Sequence, residues 1–373
     1  MYIEHISVEG FFDAKYVRSH SFETVKTYRT SLKKFEQFLK EQYQSNSSEI
    51  IERIKEGKID VYQLLRSFVV DQDKQGFMPR TIDIRINAAK EYLRYVGIKI
   101  YSEDFKQSVP LPRKLKVVET PLTKEIILRV LRNVSPKLQA AILVAVASGM
   151  RIGELVQIKI SDIDFEAEPT TIHLRAETTK TRTPREVFLT QESTLALKDY
   201  FKRYHGWKNE NEEFLKNRYV FARTSLSNKL YKQDNDLKTN FVIATETLLQ
   251  KGLLNSIKKI PDLCIKNSNG KYAIHFHAFR KFFRTNVGNA SGRDFAEALI
   301  GHSFYLDTYY NLPEDKKKEL YLKAEPYLTI SDFKKIEENM QEISERHDKL
   351  EKTVEDMKHY LFSNSIEIPE SIA

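Results

Sequence analysis

Residues Tyr272–Asn311 read YAIHFHAFRKFFRTNVGNASGRDFAEALIGHSFYLDTYYN, and the rest of the chain is organised around them. His277 and Arg280 stand three residues apart, so they share one face if the segment is helical. Other faces of that helix carry an aromatic backing: Phe279, Phe282 and Phe283. Further along come an imidazole and two adjacent phenols: His302, Tyr309 and Tyr310. Together these groups predict chemistry on an anion, with a tyrosine as the nucleophile.

Length and composition limit the class of protein. The 373 residues are too many for one ordinary domain, so two or three domains are expected. The formal net charge of +8 favours a polyanionic partner, nucleic acid before membrane, and the alternative is a basic surface without a partner. The single cysteine, Cys264, excludes an internal disulfide and a thiolate zinc cluster. No apolar run reaches the roughly 20 residues of a spanning helix and no signal peptide is visible, so a cytoplasmic location is expected.

The first third of the chain predicts a small all-helical unit with basic residues on its outer faces. Apolar residues recur at steps of three or four from Val25 to Leu39, the period of a helix that buries one face. Further helices are expected over 50–54 and 61–70, and Thr81 is expected to cap a fourth.

Residues 101–120 show no helical period and predict a linker that two prolines stiffen. A basic run follows those prolines: Arg113, Lys114 and Lys116. Such a connector can lie along a phosphate backbone or act as a plain spacer, and the pattern favours neither. The three side chains are therefore candidate DNA contacts.

Helices return after the linker. Thr123 is expected to cap one of them, and residues 138–147 are so uniformly apolar that they predict a buried helix. A turn at Gly149 ends that helix, and Arg151 follows it immediately. Another helix is expected to begin at Ile152.

The period then changes to two. Residues 171–175 and 185–189 alternate as strands and predict a hairpin. Lys180 lies at or near its tip, and Arg182 beside it is a further candidate DNA contact.

The C-terminal segment carries a separate signal. Apolar residues, with one histidine among them, form a narrow stripe at steps of three and four: Phe333, Ile336, Met340, Ile343, His347, Leu350, Val354, Met357 and Leu361. The stripe predicts a coiled coil and self-association through it. The alternative is a lone amphipathic helix packed on its own domain.

Four motifs resemble those of the tyrosine recombinases, the integrase and Xer-like family. Residues 148–155, SGMRIGEL, resemble the family's first arginine box, and residues 277–280, HAFR, resemble its His-x-x-Arg box. Residues 299–303, LIGHS, resemble its Leu-Gly-His box. In the family a lysine stands five residues before the arginine of an Arg-x-Val-x-Leu strand, as Lys180 does before Arg185. Each motif is weak alone, and the four in this order form a strong signal.

The resemblance implies that a tyrosine attacks a DNA phosphodiester. Arg151 and Arg280 would clamp the nonbridging oxygens, because guanidinium groups stay charged and bind bidentately. His302 would donate a further hydrogen bond, and His277 would assist the tyrosine's proton transfer. Lys180 would protonate the departing 5′ hydroxyl. The 3′-phosphotyrosyl intermediate keeps the bond energy, so neither a metal nor another cofactor is expected.

The nucleophile is the assignment with two candidates. Tyr310 lies nearer than Tyr309 to the family's spacing from the Leu-Gly-His histidine, so Tyr310 is favoured and Tyr309 is the alternate. We interpret Glu154 as a structural residue that orients Arg151.

The resemblance implies a mainly α fold with a small β-sheet or hairpin. Its parts would be a helical core-binding domain over 1–105, a basic linker over 106–120 and a tyrosine-recombinase catalytic domain over 121–330. A coiled-coil helix over 331–363 and a tail over 364–373 would complete the chain.

The predicted function is site-specific recombination or integration of double-stranded DNA by a homotetramer on DNA, away from any membrane. One alternative is relaxation of DNA by a type IB topoisomerase, which uses a similar set of residues. Another is a non-catalytic DNA-binding architectural protein of the same fold. The short box spacing favours the recombinase over the topoisomerase, and binding alone would not require a tyrosine.

Overall fold

The computed structural model of the chain describes residues 7–114, 116–205, 218–221, 235–302, 312–331, 349–354 and 357. The chain divides into two compact units, Met1–Lys116 and Val117–Ala373, and each has its own hydrophobic core. The division falls inside the predicted linker. Within the described ranges, no helix combines the length and the apolar character that a membrane span requires.

The first unit is helical, as its apolar period predicts. Its helices are α1 Val8–Ser19, α2 Phe22–Tyr43, α3 Ser47–Lys55, α4 Val61–Lys74, α5 Pro79–Tyr95 and α6 Ser102–Ser108. The Ser21 side chain caps α2 by accepting a hydrogen bond from the N–H of Thr24. Phe35 and Phe38 of α2 each place their ring centroids 5.1 Å from that of Phe68 in α4, which joins these two helices in the core.

Two details of this unit differ from the sequence prediction. The start of α5 is Pro79, after an N-cap at Met78, and the expected cap at Thr81 is wrong. A proline fits there because the first turn of a helix leaves its N–H groups unpaired. α6 lies inside residues 101–120, where the sequence predicts a linker and no helix, and its buried Phe105 belongs to the core. A helix of seven residues has too few turns for a period to reveal it.

The second unit is mainly helical with one small sheet in its described part. Its helices are α7 Lys124–Leu131, α8 Pro136–Ser148, α9 Ile152–Leu155, α10 Gln191–His205, α11 Asn235–Lys258, α12 Phe276–Ser291, α13 Arg293–Leu299 and α14 Glu314–Leu328. Its strands are β1 Ile163–Asp164, β2 Thr171–Leu174 and β3 Arg185–Phe188. They form an antiparallel sheet in the order β1-β2-β3, and Ile172 pairs with Val187. The predicted hairpin and fold class are confirmed.

α8 lies at the centre of the second unit. It is buried almost along its whole length, so its apolar run meets other elements on every side. Tyr321 of α14 donates its hydroxyl to the carbonyl of Ala147 at 2.8 Å. α8 ends at Gly149 with a φ of 63°, and this turn delivers Arg151 to the surface of the core. Packing of α8 therefore fixes the position of the first predicted catalytic residue.

Most of the predicted coiled coil over 331–363 lies outside the described residues. Residues 349–354 and 357 are helical. Three members of the apolar stripe in this part are exposed in the single chain: Leu350, Val354 and Met357. An exposed apolar stripe fits a helix that pairs with another, and the coiled coil stays a prediction.

We predict that Gly149→Ala destabilises the second unit more than Gly270→Ala does. Both glycines have a positive φ, 63° and 75°, so each alanine costs about 1–2 kcal/mol of backbone strain. A Cβ at position 149 would also lie 2.2 Å from Cδ1 of Phe283, whereas nothing lies within 4 Å of one at position 270. The overpacking adds about 1–3 kcal/mol to the loss at Gly149.

Urea unfolding of both variants measures the difference in the free energy of unfolding. Equal losses for the two variants would contradict the described packing between the end of α8 and α12.

Candidate active site

A cavity of about 430 Å³ in the second unit brings together four of the predicted catalytic residues. They are Arg151, Lys180, His277 and Arg280. The turn after α8 supplies the first, the hairpin loop supplies the second, and α12 supplies the other two. The folded chain thus gathers side chains that lie far apart in sequence.

Arg280 is fixed by backbone carbonyls. Its side chain is buried, and its Nη1 donates to the carbonyl of Gly149 at 2.8 Å. Its Nη2 donates to the carbonyl of Ile300 at 2.5 Å. Burial first, and then repulsion from Arg151, lowers the pKa of Arg280 to about 9, so the guanidinium stays charged at neutral pH. A rigidly held cation therefore lies between the two turns that carry Arg151 and His302.

Arg151 stands at the start of α9, half-buried beside Glu154. The Arg151 backbone N–H donates to Oε2 of Glu154 at 2.8 Å, and its Nη1 donates to Oε1 at 3.0 Å. Burial alone would raise the pKa of Glu154, but the charges and hydrogen bonds of Arg185 and Arg151 lower it below its usual range. Because a guanidinium carries several N–H donors, Arg151 can bind an anion in the cavity while it holds Glu154.

The hairpin loop presents Lys180 to the cavity. Lys180 itself is exposed, while its neighbour Thr179 is buried. The Thr179 hydroxyl lies 3.1 Å from the carbonyl oxygens of both Ala176 and Thr183, which closes the loop. Arg182 is exposed and has a φ of 55°, a left-handed conformation at the turn. The threonine anchor therefore leaves the two cations at the surface of the loop.

His277 lies in the first turn of α12. Its partial burial lowers its pKa, and the charges of Lys281 and Arg280 lower it further. Lys281 forms an ion pair with Glu119, whose charge acts in the opposite direction on the imidazole. These effects favour the neutral imidazole, the form that can accept a proton from a phenol.

His302 is not among the residues that line the cavity. Its Nδ1 contacts the carboxylate of Glu297, which is 3% exposed. Burial would raise the pKa of Glu297, but hydrogen bonding and charge from Arg284, and then His302, lower it. Since the carboxylate occupies Nδ1, Nε2 is the nitrogen left for a phosphate. The carbonyl that Arg280 holds, that of Ile300, lies just before this histidine.

The remaining predicted residues are the two candidate nucleophiles and the linker cations. Tyr310 and Tyr309 are outside the described residues. The three linker cations, Arg113, Lys114 and Lys116, are exposed and belong to the first unit. Lys114 forms an ion pair with Asp83. In the described part of the chain, no group of three side chains could hold a metal ion.

The motifs do not assign roles to three charged residues of this site: Arg185, Glu246 and Glu297. Glu246 of α11 lines the cavity, and Arg185 is buried beside Glu154. Arg185 could have been found, because it shares strand parity with Val187 and so points to the core face. No comparable sequence pattern marks Glu246 or Glu297. Tertiary packing places both residues in the site.

We predict that Lys281→Gln raises the pKa of His277 toward the usual range of histidine. The substitution removes a cation that disfavours the imidazolium and leaves Glu119, which favours it. A proton NMR titration of the imidazole measures the change, with the signal assigned from a His277→Gln spectrum. Lys316→Gln removes an exposed lysine paired with Glu319 and is the control. An unchanged pKa in Lys281→Gln would contradict the electrostatic account of His277.

Comparison with known proteins places the chain in a family. A profile described as the phage integrase family matches residues 122–310. The tyrosine recombinase XerC of Oceanobacillus iheyensis is 24% identical over 340 residues, which cover 87% of this chain and 94% of that protein. XerC of Bacillus subtilis is 22% identical over 340 residues, covering 87% of this chain and 95% of its own.

Among solved structures, a lambda integrase dimer bound to a COC′ core site has a TM-score of 0.48 and 14% identity, and covers 84% of this chain and 100% of that one. The family match spans more than half of the 373 residues. The chain therefore belongs to the phage integrase family of tyrosine recombinases, which confirms the family and the class of enzyme that its motifs predict.

Proposed function

We propose that this chain cleaves and rejoins double-stranded DNA at a specific site through a 3′-phosphotyrosyl intermediate. The observation that carries the proposal is the convergence of Arg151, Lys180, His277 and Arg280 on one cavity. The family membership supports it, because the XerC relatives are named tyrosine recombinases.

The charge of the site suits a phosphodiester. Two carboxylates, Glu154 and Glu246, line the cavity. Four cations stand at or behind it: Arg151, Lys180, Arg185 and Arg280. Glu297, which also acts on Arg280, is paired with Arg284. Each carboxylate balances about one cation, so positive charge remains for an anion. The nonbridging oxygens gain negative charge as phosphorus becomes pentacoordinate. Donors already held in place, as Arg280 is, each contribute about 2.7–4 kcal/mol to lowering such a barrier.

The proposed steps balance in atoms and protons. The phenol oxygen of Tyr310, or of Tyr309 as the alternate, bonds to phosphorus while neutral His277 takes up the phenol proton. Arg151, Arg280 and His302 stabilise the charge on the nonbridging oxygens. The bond from phosphorus to the 5′ oxygen breaks, and Lys180 gives that oxygen a proton. Attack of a 5′ hydroxyl on the phosphotyrosine reverses each transfer and reseals a strand.

The proposal extends to the rest of the chain. The first unit, as a core-binding domain over 1–105, and the catalytic domain over 121–330 would both contact duplex DNA. Exposed cations would contact phosphates without reading sequence: Arg113, Lys114, Lys116 and Arg182. Joining two duplexes involves four strands, so we propose a homotetramer on DNA. The stripe over 331–363 would add self-association, and a cytoplasmic location stays a prediction.

We predict a covalent adduct between the full chain and nicked duplexes whose central segment is randomised. The nick lets the short 5′-hydroxyl fragment diffuse away, so the phosphotyrosine persists and survives denaturant. Sequencing the DNA in the adducts identifies the preferred site. Tyr310→Phe is expected to abolish the adduct and Tyr309→Phe to keep it, and the opposite pattern would make Tyr309 the nucleophile.

Two other results would contradict the proposal. If none of the duplexes in the pool forms an adduct, the chain is a DNA-binding protein without this chemistry. If the protein relaxes plasmids without site preference, its activity is that of a type IB topoisomerase.

We predict that Lys180→Ala slows adduct formation by about 10²–10⁴-fold, the usual contribution of a general acid. Replacing the bridging 5′ oxygen of the selected duplex with sulfur should restore the rate, because a thiolate leaves without a proton. Arg182→Ala, in the same loop, is the control: sulfur should not correct its weaker binding. A Lys180→Ala variant that stays equally slow on both substrates would contradict the role of Lys180.

A further inference from the structure

We propose that Arg185 is the positioning residue of this site. Through Glu154 it sets Arg151 for phosphate binding, and through the turn at Leu299–Gly301 it sets the backbone that carries His302. The inference rests on the proposed function and adds a residue to it. In the motifs, Arg185 only marks the strand that follows Lys180.

The Arg185 guanidinium joins two segments of the site, α9 and the end of α13, through buried hydrogen bonds. It opens β3 and is 3% exposed. Its Nη1 and Nη2 donate to the two carboxylate oxygens of Glu154, at 3.2 and 2.6 Å. Its Nε donates to the carbonyl of Leu299 at 2.9 Å. One planar group thus binds α9 on one side and the end of α13 on the other, while β3 continues from the Lys180 loop.

Gly301 shows how closely the second segment packs on this guanidinium. Its φ is 73°, and a Cβ at this position would lie 2.8 Å from Nη1 and 3.0 Å from Nε of Arg185. The turn therefore rests directly against the arginine, with no room for a side chain. His302 is the next residue, so this contact sets its backbone while Glu297 holds its ring.

Glu154 links Arg185 to Arg151 through a shared, buried carboxylate. Oε1 accepts from Nη1 of both arginines, and Oε2 accepts from Nη2 of Arg185 and from the Arg151 backbone. A buried carboxylate that loses such a partner keeps its negative charge uncompensated, and it then binds any remaining cation more strongly. Without Arg185, Glu154 would therefore compete with the phosphate for the Arg151 guanidinium. With Arg185 present, that competition is weak and Arg151 is available to the substrate.

The test compares Arg185→Met with the wild-type chain on the duplex selected from the randomised pool. Single-turnover adduct formation at saturating DNA is expected to fall by about 10²–10³-fold, the effect of losing one preorganised donor. The Kd for the duplex should change by less than about threefold, because DNA binding is spread over many phosphate contacts. Arg129→Met removes an exposed ion pair with Asp262 and should leave both quantities unchanged.

A second variant separates positioning from a general loss of structure. Glu154→Gln combined with Arg185→Met removes the competing charge, so the rate should recover by about tenfold over Arg185→Met. If Arg185→Met does not fold, Arg185→Lys takes its place in the first comparison only, because it keeps the charge that balances Glu154 and loses the planar group that binds Leu299. Thermal unfolding of each variant shows how much folded protein contributes to the rate.

The outcomes are distinct. An Arg185 variant that folds and cleaves at the wild-type rate overturns the inference and leaves the proposed function standing. So does a double variant that is no faster than the single one. A wild-type chain that forms no adduct overturns both.

Discussion

The ion pair between Glu154 and Arg185 is the interaction on which the site depends. Both side chains are 2% exposed, so each would carry an uncompensated charge in the core without the other. Breaking such a buried pair costs about 3–5 kcal/mol, because the remaining charge stays buried. Here the pair also ties β3 to α9 and, through Leu299, to the end of α13. The same contact therefore stabilises the unit and gives the site its geometry.

The site holds two guanidinium groups, Arg151 and Arg280, close enough to repel each other. Arg280 lies near Arg151 and is buried, and both circumstances lower its pKa. Three groups stabilise the charged form of Arg280 against these effects: the carbonyls of Gly149 and Ile300 and the carboxylate of Glu154. A phosphodiester in the cavity would offset it further, so binding of the anion and organisation of the arginines favour each other. Burial of α8 provides the rigid support for this arrangement.

The sequence predicts this fold where its patterns are long. The apolar run at 138–147 became α8, and alternation at 171–175 and 185–189 became β2 and β3. The sequence did not predict two short elements, because α6 has too few turns to show a period and β1 has only two residues. Most cationic residues of the site were found through motifs. The sequence also predicts that Glu154 orients Arg151, three residues before it, and the two are hydrogen-bonded. Glu297 is buried by tertiary contacts, so spacing could not reveal it.

The central claim is that Arg151 and Arg280 bind one phosphate together. A crystal structure of the chain with its selected duplex and vanadate, which adopts the pentacoordinate geometry of the transition state, measures this directly. We expect vanadium in the cavity, with guanidinium nitrogens of both arginines and Nε2 of His302 in hydrogen-bond contact with its oxygens. Vanadium bound elsewhere, or the two arginines on different phosphates, would contradict it.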